Sequence, residues 1–549
     1  MDLKALERDI FKRFKNRGWS ITSAAIKGLL SVLQKEVDMA KVFEDVVSEI
    51  TERMDKREVK SSVITVELME EVCASLSTDE KDIEVRKFKL IDAFAMPRIS
   101  YDASQKMYSL TDPPIYSMHG DIDCRANMYK ERLHLALNRA LRSGFKLRGM
   151  TTKRASGAYN EQDEQNPQDD SKENEWEIST LESLLGDTGH IRVLIGFLTQ
   201  PEEGKWFLED HTGSMWLDFK TLQHHAPKLF TEGSIVVLKG AVSSRNQSRL
   251  EVFQLVMLDP EHRSDTLGAM DIFDPFHKSM RPREILAKQE AERADCNVVI
   301  IIISDCCFSN QIVCDNLRTI FSTYESQLQT ELLFVLLGPF VNKDFNSTGG
   351  RAAARAAFAA FGETLTACPR LCEHSRFLLV PAANDPGNKS CWPRPSIPEE
   401  LVKPLRKRIK RLTLASNPCR VLFYNQEIVF FREDMLRKML RHSLRLELNG
   451  EVSQEVADET LQEQLVDTIL SQAHLFPLPP TVKPVNWDLD YTMRLHPLPQ
   501  LLVLADHASD YKISGNGCTV VNPGSFLADA SFMVYSPCDR TVEFSGLNG

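Results

Sequence analysis

The stretch from Cys296 to Ile303, the start of CNVVIIIISDCC, is an almost unbroken apolar, β-branched run with no alternation. A run this short reads as a strand with both faces covered, so the chain must supply a layer on each side of the sheet that contains it. It stops at a polar tip, Ser304 and Asp305. Ligands of α/β sheets bind at the carboxyl ends of strands, so chemistry is to be sought at this tip.

Three further runs repeat the pattern: LLFVLLGPF from Leu332 to Phe340, RFLLVPAANDP from Arg376 to Pro386, and LLVLADHA from Leu501 to Ala508. A fourth polar site, Ser471 to His474, follows the helix-like LVDTIL and precedes Leu475. In order, these tips resemble the motif series of the calcineurin-like metallophosphoesterases, in which D-x-H, G-D, G-N-H, G-H and G-H-x-H gather two metals. Such a centre needs several carboxylates and imidazoles at once, to offset the charge of two ions roughly 3.5 to 4 Å apart. Asp305 matches the first ligand, but the histidine two residues on is Cys307 and the bridging aspartate is Pro339, which has no side-chain donor. Aligned by Asp385, the third motif puts Ala383 at the asparagine and Asn384 at the catalytic histidine; aligned by Asn384, the asparagine is kept and the histidine becomes Asp385. His474 matches the G-H histidine, while Asp506 stands in a last motif whose histidine positions are both lost. The expectation is a retained fold with a dead site: no catalytic residue, no metal and no cofactor.

At 549 residues the chain is long enough for about three domains at roughly 150 residues each. A net charge of −11 gives no polyanion-binding signature for the whole molecule. The start MDLKALERDIFKRFKNR lacks a secretory h-region and no long apolar run occurs, which predicts an intracellular protein that does not engage a membrane. Twelve cysteines, ten of them after residue 290, then read as reduced core residues rather than disulfides.

Helical spacing of Leu3, Leu6, Ile10 and Phe14, of Ile26, Leu29, Leu30 and Leu33, and of two later sets predicts a four-helix bundle over residues 1–78. Residues 79–150 form a mixed connecting region, with an extended FKLIDAFAMPRISYD interrupted at Pro97 and a helix in NMYKERLHLALNRALRS. The acidic stretch 151–178 has almost no apolar residues to offset its ordering entropy, and is expected to be a disordered, protease-sensitive linker. Within 179–262, turn signals at Glu203-Gly204 and Thr212-Gly213 separate three strands, and two more follow, a pattern that resembles an OB-fold. Such barrels bind single strands through aromatics among basic residues, and Trp206, Phe207, Trp216 and Phe219 are present. Charge argues against that use, because residues 181–260 carry seven lysines and arginines against ten acidic residues. A linker at 263–295 leads to the phosphoesterase-like domain, 296–549.

Other features are open to blander readings. Cys368, Cys372, His374 and Cys391 lack the spacing of paired zinc knuckles. KPLRKRIKR, from Lys403 to Arg411, reads as a nuclear-import signal, a phosphate-contacting patch or a solvated helix face. Ser304, Cys306 and Cys307 have no histidine nearby in sequence to act as a base.

The order of helical bundle, linker, OB-like barrel and degenerate phosphoesterase sandwich is more specific than any one motif. With FKNRGWSITSAAIKGLL, GKWFLEDHTGSMWLD, SRFLLVPAANDPG, SNPCRVLFYNQEIVFFRED, ILSQAHLFPLPPTVKPVNWDLDY, LPQLLVLAD and VNPGSF, the whole chain resembles the B-subunit family of eukaryotic replicative DNA polymerases, in its epsilon branch. The resemblance implies a multidomain α+β protein and a non-catalytic nuclear subunit. It implies binding to the cysteine-rich C-terminal region of the catalytic chain, company with small histone-fold subunits, and coupling to the GINS side of the replicative helicase, with DNA met through the complex. The proline-rich HLFPLPPTVKPVNWDLDY, with Leu475, Phe476 and Trp487, either docks that partner or covers its own sheet. A metal-dependent phosphodiesterase or nuclease, and an autonomous single-strand binder, are the alternative functions.

Overall fold

The computed structural model describes residues 87–102, 107–111, 122–147, 177–270, 276, 282–326, 330–388, 391–444 and 458–547, with scattered residues before 87. The chain divides into two units, Met1–Arg86 and Lys87–Gly549. Most of the expected N-terminal helices, and nearly all of the linker 151–178, lie outside the described residues. In the first unit Ser20–Ile21 pairs in parallel with Val63–Ile64, a strand pair that the all-helical reading did not include.

The second unit begins with strand β1 (Phe88–Asp92) and helix α1 (Ile122–Arg142). Leu133, Ala136, Leu137 and Ala140 recur at helical spacing and seat α1 on the outside of a barrel, against Val193, Ile195, Phe197, Ile235 and Val237. The barrel strands are β2 (Arg192–Glu202), β3 (Lys205–Glu209), β4 (Ser214–Asp218), β5 (Ile235–Val242) and β6 (Arg249–Val256). Strands β2, β3 and β4 form an antiparallel meander, β4 pairs in parallel with β6, and β5 closes the ring onto β6 and β2. Leu194, Leu198, Leu208, Leu217, Leu238, Leu250 and Val252 fill the interior.

Besides a small hairpin, Arg98–Asp102 with Met107–Thr111, two six-stranded sheets make up most of the rest. The first contains β7 (Val298–Ile303), β8 (Glu331–Leu337), β9 (Arg376–Val380) and β10 (Arg411–Leu414), all parallel. The second contains β11 (Cys419–Phe423), β12 (Gln426–Arg432), β13 (Leu501–Ala505), β14 (Tyr511–Gly515) and β15 (Cys518–Asn522). Strand β1, from a stretch expected only to connect, completes this second sheet beside β11. The hairpin β16 (Ser531–Ser536) and β17 (Thr541–Gly546) returns to the first sheet, antiparallel to β7.

The sheets pack face to face. Ile300 and Ile302 meet Val421, Phe430 and Val503 between them, while Ile301 and Ile303 face helices α2 (Gln311–Glu325) and α3 (Gly350–Thr364) through Leu317, Phe321 and Phe358. Both halves of the β-branched run are thus buried, each side chain contributing on the order of 1.5–3 kcal/mol. Asn310 starts α2 by accepting from the Ile312 amide at 2.9 Å. On the far side of the second sheet, Val429 and Phe431 pack under helix α4 (Asp458–Gln472) through Leu465 and Ile469. The cysteine expectation needs one correction. Cys306, Cys307, Cys314, Cys368, Cys372, Cys419 and Cys518 are buried free thiols, but Cys296 and Cys538 form a disulfide between the foot of β7 and the β16–β17 turn.

Candidate functional site at the strand ends

Strand β7 ends where the apolar run ends. Asp305 follows in the left-handed region, at φ 60°, which a short polar side chain tolerates better than a branched one. Its carboxylate is almost fully buried, yet it is met by three donors. Arg432, the last residue of β12, reaches across from the second sheet and forms an ion pair with Oδ1. The Ser525 hydroxyl donates to Oδ2 at 2.7 Å, and His507 Nδ1 stands 3.4 Å from the same oxygen. Burial alone pushes the Asp305 carboxyl up, but the His507 contact, the Arg432 charge and the Ser525 hydrogen bond outweigh it and hold it down to about 2.

Arg432 does more than neutralise Asp305. Its Nε donates to the Gly338 carbonyl at 2.7 Å and its Nη1 to the Ala505 carbonyl at 2.7 Å. One guanidinium therefore ties together the carboxyl ends of β7, β8 and β13, and so both sheets. Its own backbone amide donates to Asn417 Oδ1 at 3.1 Å, fixing the end of β12. Nothing in the motif series pointed to Arg432. The available signal is a charged residue closing an apolar strand, EIVFFR, at the tip position that Asp305 occupies in its own strand.

The other expected positions divide. Asp385 is fully buried and spends both oxygens on main-chain donors, the Phe340 amide at 2.7 Å and the Ala382 amide at 2.9 Å. Its carboxyl is pushed up by burial. Gly338 makes this possible, because a Cβ there would collide with Asp385 Oδ2. Pro339 follows and offers no donor atom, and Asn384 is exposed. Cys307 is buried, with its thiol pushed up by burial. Asp506 accepts from the Ala508 amide and from Asn522 Nδ2, both at 2.9 Å, while Oδ2 has no partner; burial lifts its carboxyl to about 6.

His474 belongs to a different cluster. Its Nδ1 accepts from the Phe476 amide at 3.1 Å, and its Nε2 lies 3.2 Å from Asp490, a buried carboxylate also held by Arg132 and Arg494. Leu475 and Phe476 are fully buried under the second sheet, which corrects their assignment to a partner surface: their apolar area is already spent on their own core. Trp487 is half-buried at the start of the 3-10 helix Trp487–Met493.

The arrangement is a polar seam, buried except at His507 on its edge. Both Asp305 oxygens and both Asp385 oxygens are engaged, Asp506 is lifted toward neutrality, and the cation at the centre is a guanidinium without a lone pair. These donors do not fit a pair of metal ions. Among the described residues no group of three or more His, Cys, Asp or Glu side chains could hold one, the set Cys368, Cys372, His374 and Cys391 included. The basic run is largely spoken for: Arg406 pairs with Glu399, Lys410 with Glu373, and Arg408 donates to Thr366 Oγ1 at 2.6 Å. In the barrel, Trp206 is buried and Trp216 lies under Arg249, 3.9 Å from ring centre to guanidinium. Among the described residues no helix is long and apolar enough to cross a membrane.

Comparison with known proteins adds the family. A model for the B subunit of DNA polymerase alpha/epsilon matches residues 300–512, and one described as DNA polymerase epsilon subunit 2-like, OB-fold domain, matches residues 122–259. The DNA polymerase epsilon B subunit of Arabidopsis thaliana is 30% identical over 547 residues, covering 98% of this chain and 98% of the relative. DNA polymerase epsilon subunit 2 of Homo sapiens is 30% identical over 544 residues, covering 98% and 97%. The corresponding B subunit of Schizosaccharomyces pombe is 28% identical over 483 residues, covering 85% and 78%. Among solved structures, a novel archaeal phosphodiesterase aligns at 11% identity with a TM-score of 0.24, over 45% of this chain and 99% of its own, too remote to bear on this fold.

Proposed function

Since the chain belongs to the B-subunit family of DNA polymerase epsilon, which it matches almost end to end, we propose that it is a non-catalytic subunit of that polymerase in the nucleus. Its two-sheet body is read as a phosphoesterase-type sandwich that has given up its metals, and its barrel as the OB-fold that accompanies it. The observation that carries this reading is the Arg432 guanidinium, paired with Asp305 and bonded to the ends of two further strands. A fixed cation there supplies the charge a metal would bring but cannot activate water, because it has no open coordination position.

The body then serves assembly. The cysteine-rich C-terminal region of the catalytic chain is its proposed direct partner, over an interface above roughly 2,000 Å², as expected for an obligate contact. Within the holoenzyme it would meet the small histone-fold subunits and the GINS side of the replicative helicase, and DNA through the complex. Coexpression tests the assignment. The chain should copurify with the cysteine-rich region and gain solubility from it, whereas a stable, monodisperse chain that ignores that region in a pull-down and in calorimetry refutes it. Manganese-dependent phosphodiester hydrolysis that tracks the protein and disappears in Asp305→Ala would overturn the non-catalytic reading.

A further inference from the structure

Away from the strand ends, a cavity of about 40 Å³ lies between helix α1, the barrel and the segment that follows α4. Five basic side chains line it, Arg132, Arg139, Arg494, His474 and His496, among apolar neighbours that include Leu135 and Phe197, and no carboxylate does. Three buried nitrogens of this lining have no hydrogen-bond partner: Arg139 Nε, Arg494 Nη1 and His496 Nε2. Arg139 and Arg494 are only 5% and 7% exposed, so water from the surface does not serve them.

The charges do not balance locally. Arg132 and Arg494 share the single carboxylate of Asp490, and Arg494 also reaches Glu131 at 2.9 Å, which Arg98 holds as well. Arg139 forms no ion pair with any described residue. It donates instead to the carbonyls of Ser471 and Asp259, both at 2.9 Å. Burial lowers its affinity for the proton, but only to about 10, so it stays charged at neutral pH. The same excess of positive charge, after burial, holds the His496 imidazole down to about 3.

Glu261 and Asp259 act on Arg139 only from a distance, Glu261 being paired with Arg142, and a buried guanidinium without a directly paired counter-charge is destabilising. Water satisfies orphan donors but brings no charge. A void needs about 10–15 Å³ to admit one water, so a space of about 40 Å³ has room for a small ion. Apolar walls further favour a weakly hydrated ion. We infer that this cavity is a binding site for a small inorganic monoanion of halide or nitrate size, held by Arg139, Arg494 and His496. The ion would lock helix α1, and with it the barrel, onto the sheet body.

The test uses the full chain in its native assembly, with hydrogen exchange followed for peptides covering residues 132–142 and 490–496. Potassium chloride is compared with potassium gluconate at equal ionic strength, gluconate being the larger and more strongly hydrated anion. At ten times its dissociation constant, chloride slows exchange through opening of the site about tenfold, by the factor 1 + [L]/Kd. Arg139→Met should abolish the difference between the salts. Should that variant fail to fold, the wild-type protein crystallised in bromide decides alone, with an anomalous peak expected between Arg139 and Arg494. Equal exchange in both salts, or a cavity that shows water and no bromide peak, overturns the proposal.

Discussion

Arg432, at the end of a strand in one sheet, holds Asp305, at the end of a strand in the other, with both side chains at most 4% exposed. Because the pair is buried, its members matter most when separated. Arg432→Met leaves a desolvated carboxylate and should destabilise the body by about 3–5 kcal/mol. Adding Asp305→Asn should recover part of that loss, giving a double variant more stable than the sum of the singles. Urea unfolding of the four proteins measures this. A loss under about 1 kcal/mol for Arg432→Met would mean that the pair does not tie the sheets together.

The neighbouring strand end depends on a missing side chain. A Cβ on Gly338 would collide with Asp385 Oδ2 and stand 2.9 Å from the Ala382 amide nitrogen, so neither a rotamer change nor a small shift clears it. Gly338→Ala should therefore destabilise by about 3 kcal/mol or more, against less than about 1 for an exposed loop glycine. The readout is the shift in denaturant midpoint relative to Gly213→Ala, where nothing lies within 4 Å of the added carbon. Equal midpoints for the two variants would contradict the packing described.

What the sequence discloses here is local. The strands ending at Ile303, Leu337, Val380 and Ala505 were legible because each is a short apolar run closed by small or polar residues. The barrel's first three strands were legible through turn residues at Gly204 and Gly213. Membership of a sheet was not: the runs at Val298 and Leu501 look alike because both are covered on both faces, yet they lie in different sheets. Buried charge was invisible for a related reason. Arg132 finds Asp490 across 358 residues, and no periodicity carries such a pairing. Asp305 was found and its partner Arg432 missed, since a motif names the ligand it has lost and not the side chain that replaced it.

The His474 cluster gives a pH dependence. Burial first, and the Arg132 charge next, push this imidazole from its ordinary 6.5 down to about 4, against the pull of Asp490. Its Nδ1 already accepts from the Phe476 amide, a bond that protonation would break. With the folded value below the unfolded one, the contribution to stability is fully present above pH 6.5 and is lost as pH falls toward 4. A shift of this size corresponds to roughly 3 kcal/mol. His474→Gln should flatten this part of the profile when urea midpoints are followed from about pH 7 to about pH 4. Parallel profiles for the two proteins would place the acid sensitivity elsewhere.

The proline-rich segment after α4 separates two kinds of residue that the sequence had grouped together. Leu475 is fully buried, so Leu475→Ala should cost about 2–5 kcal/mol in stability and act on partner binding only through the fraction folded. Trp487 is half-buried beside Arg98, Asn127 and Tyr491, in a shallow cavity of about 60 Å³ that leaves part of the ring free. A tryptophan that anchors an interface carries upwards of about 2 kcal/mol, so Trp487→Ala should weaken capture of the cysteine-rich region by more than tenfold. Its effect on the unfolding midpoint should be smaller than that of Leu475→Ala. Calorimetric titration of each folded variant with the cysteine-rich region, alongside urea unfolding, distinguishes the two roles. Unchanged affinity in Trp487→Ala would move the proposed docking surface away from this segment and toward the barrel.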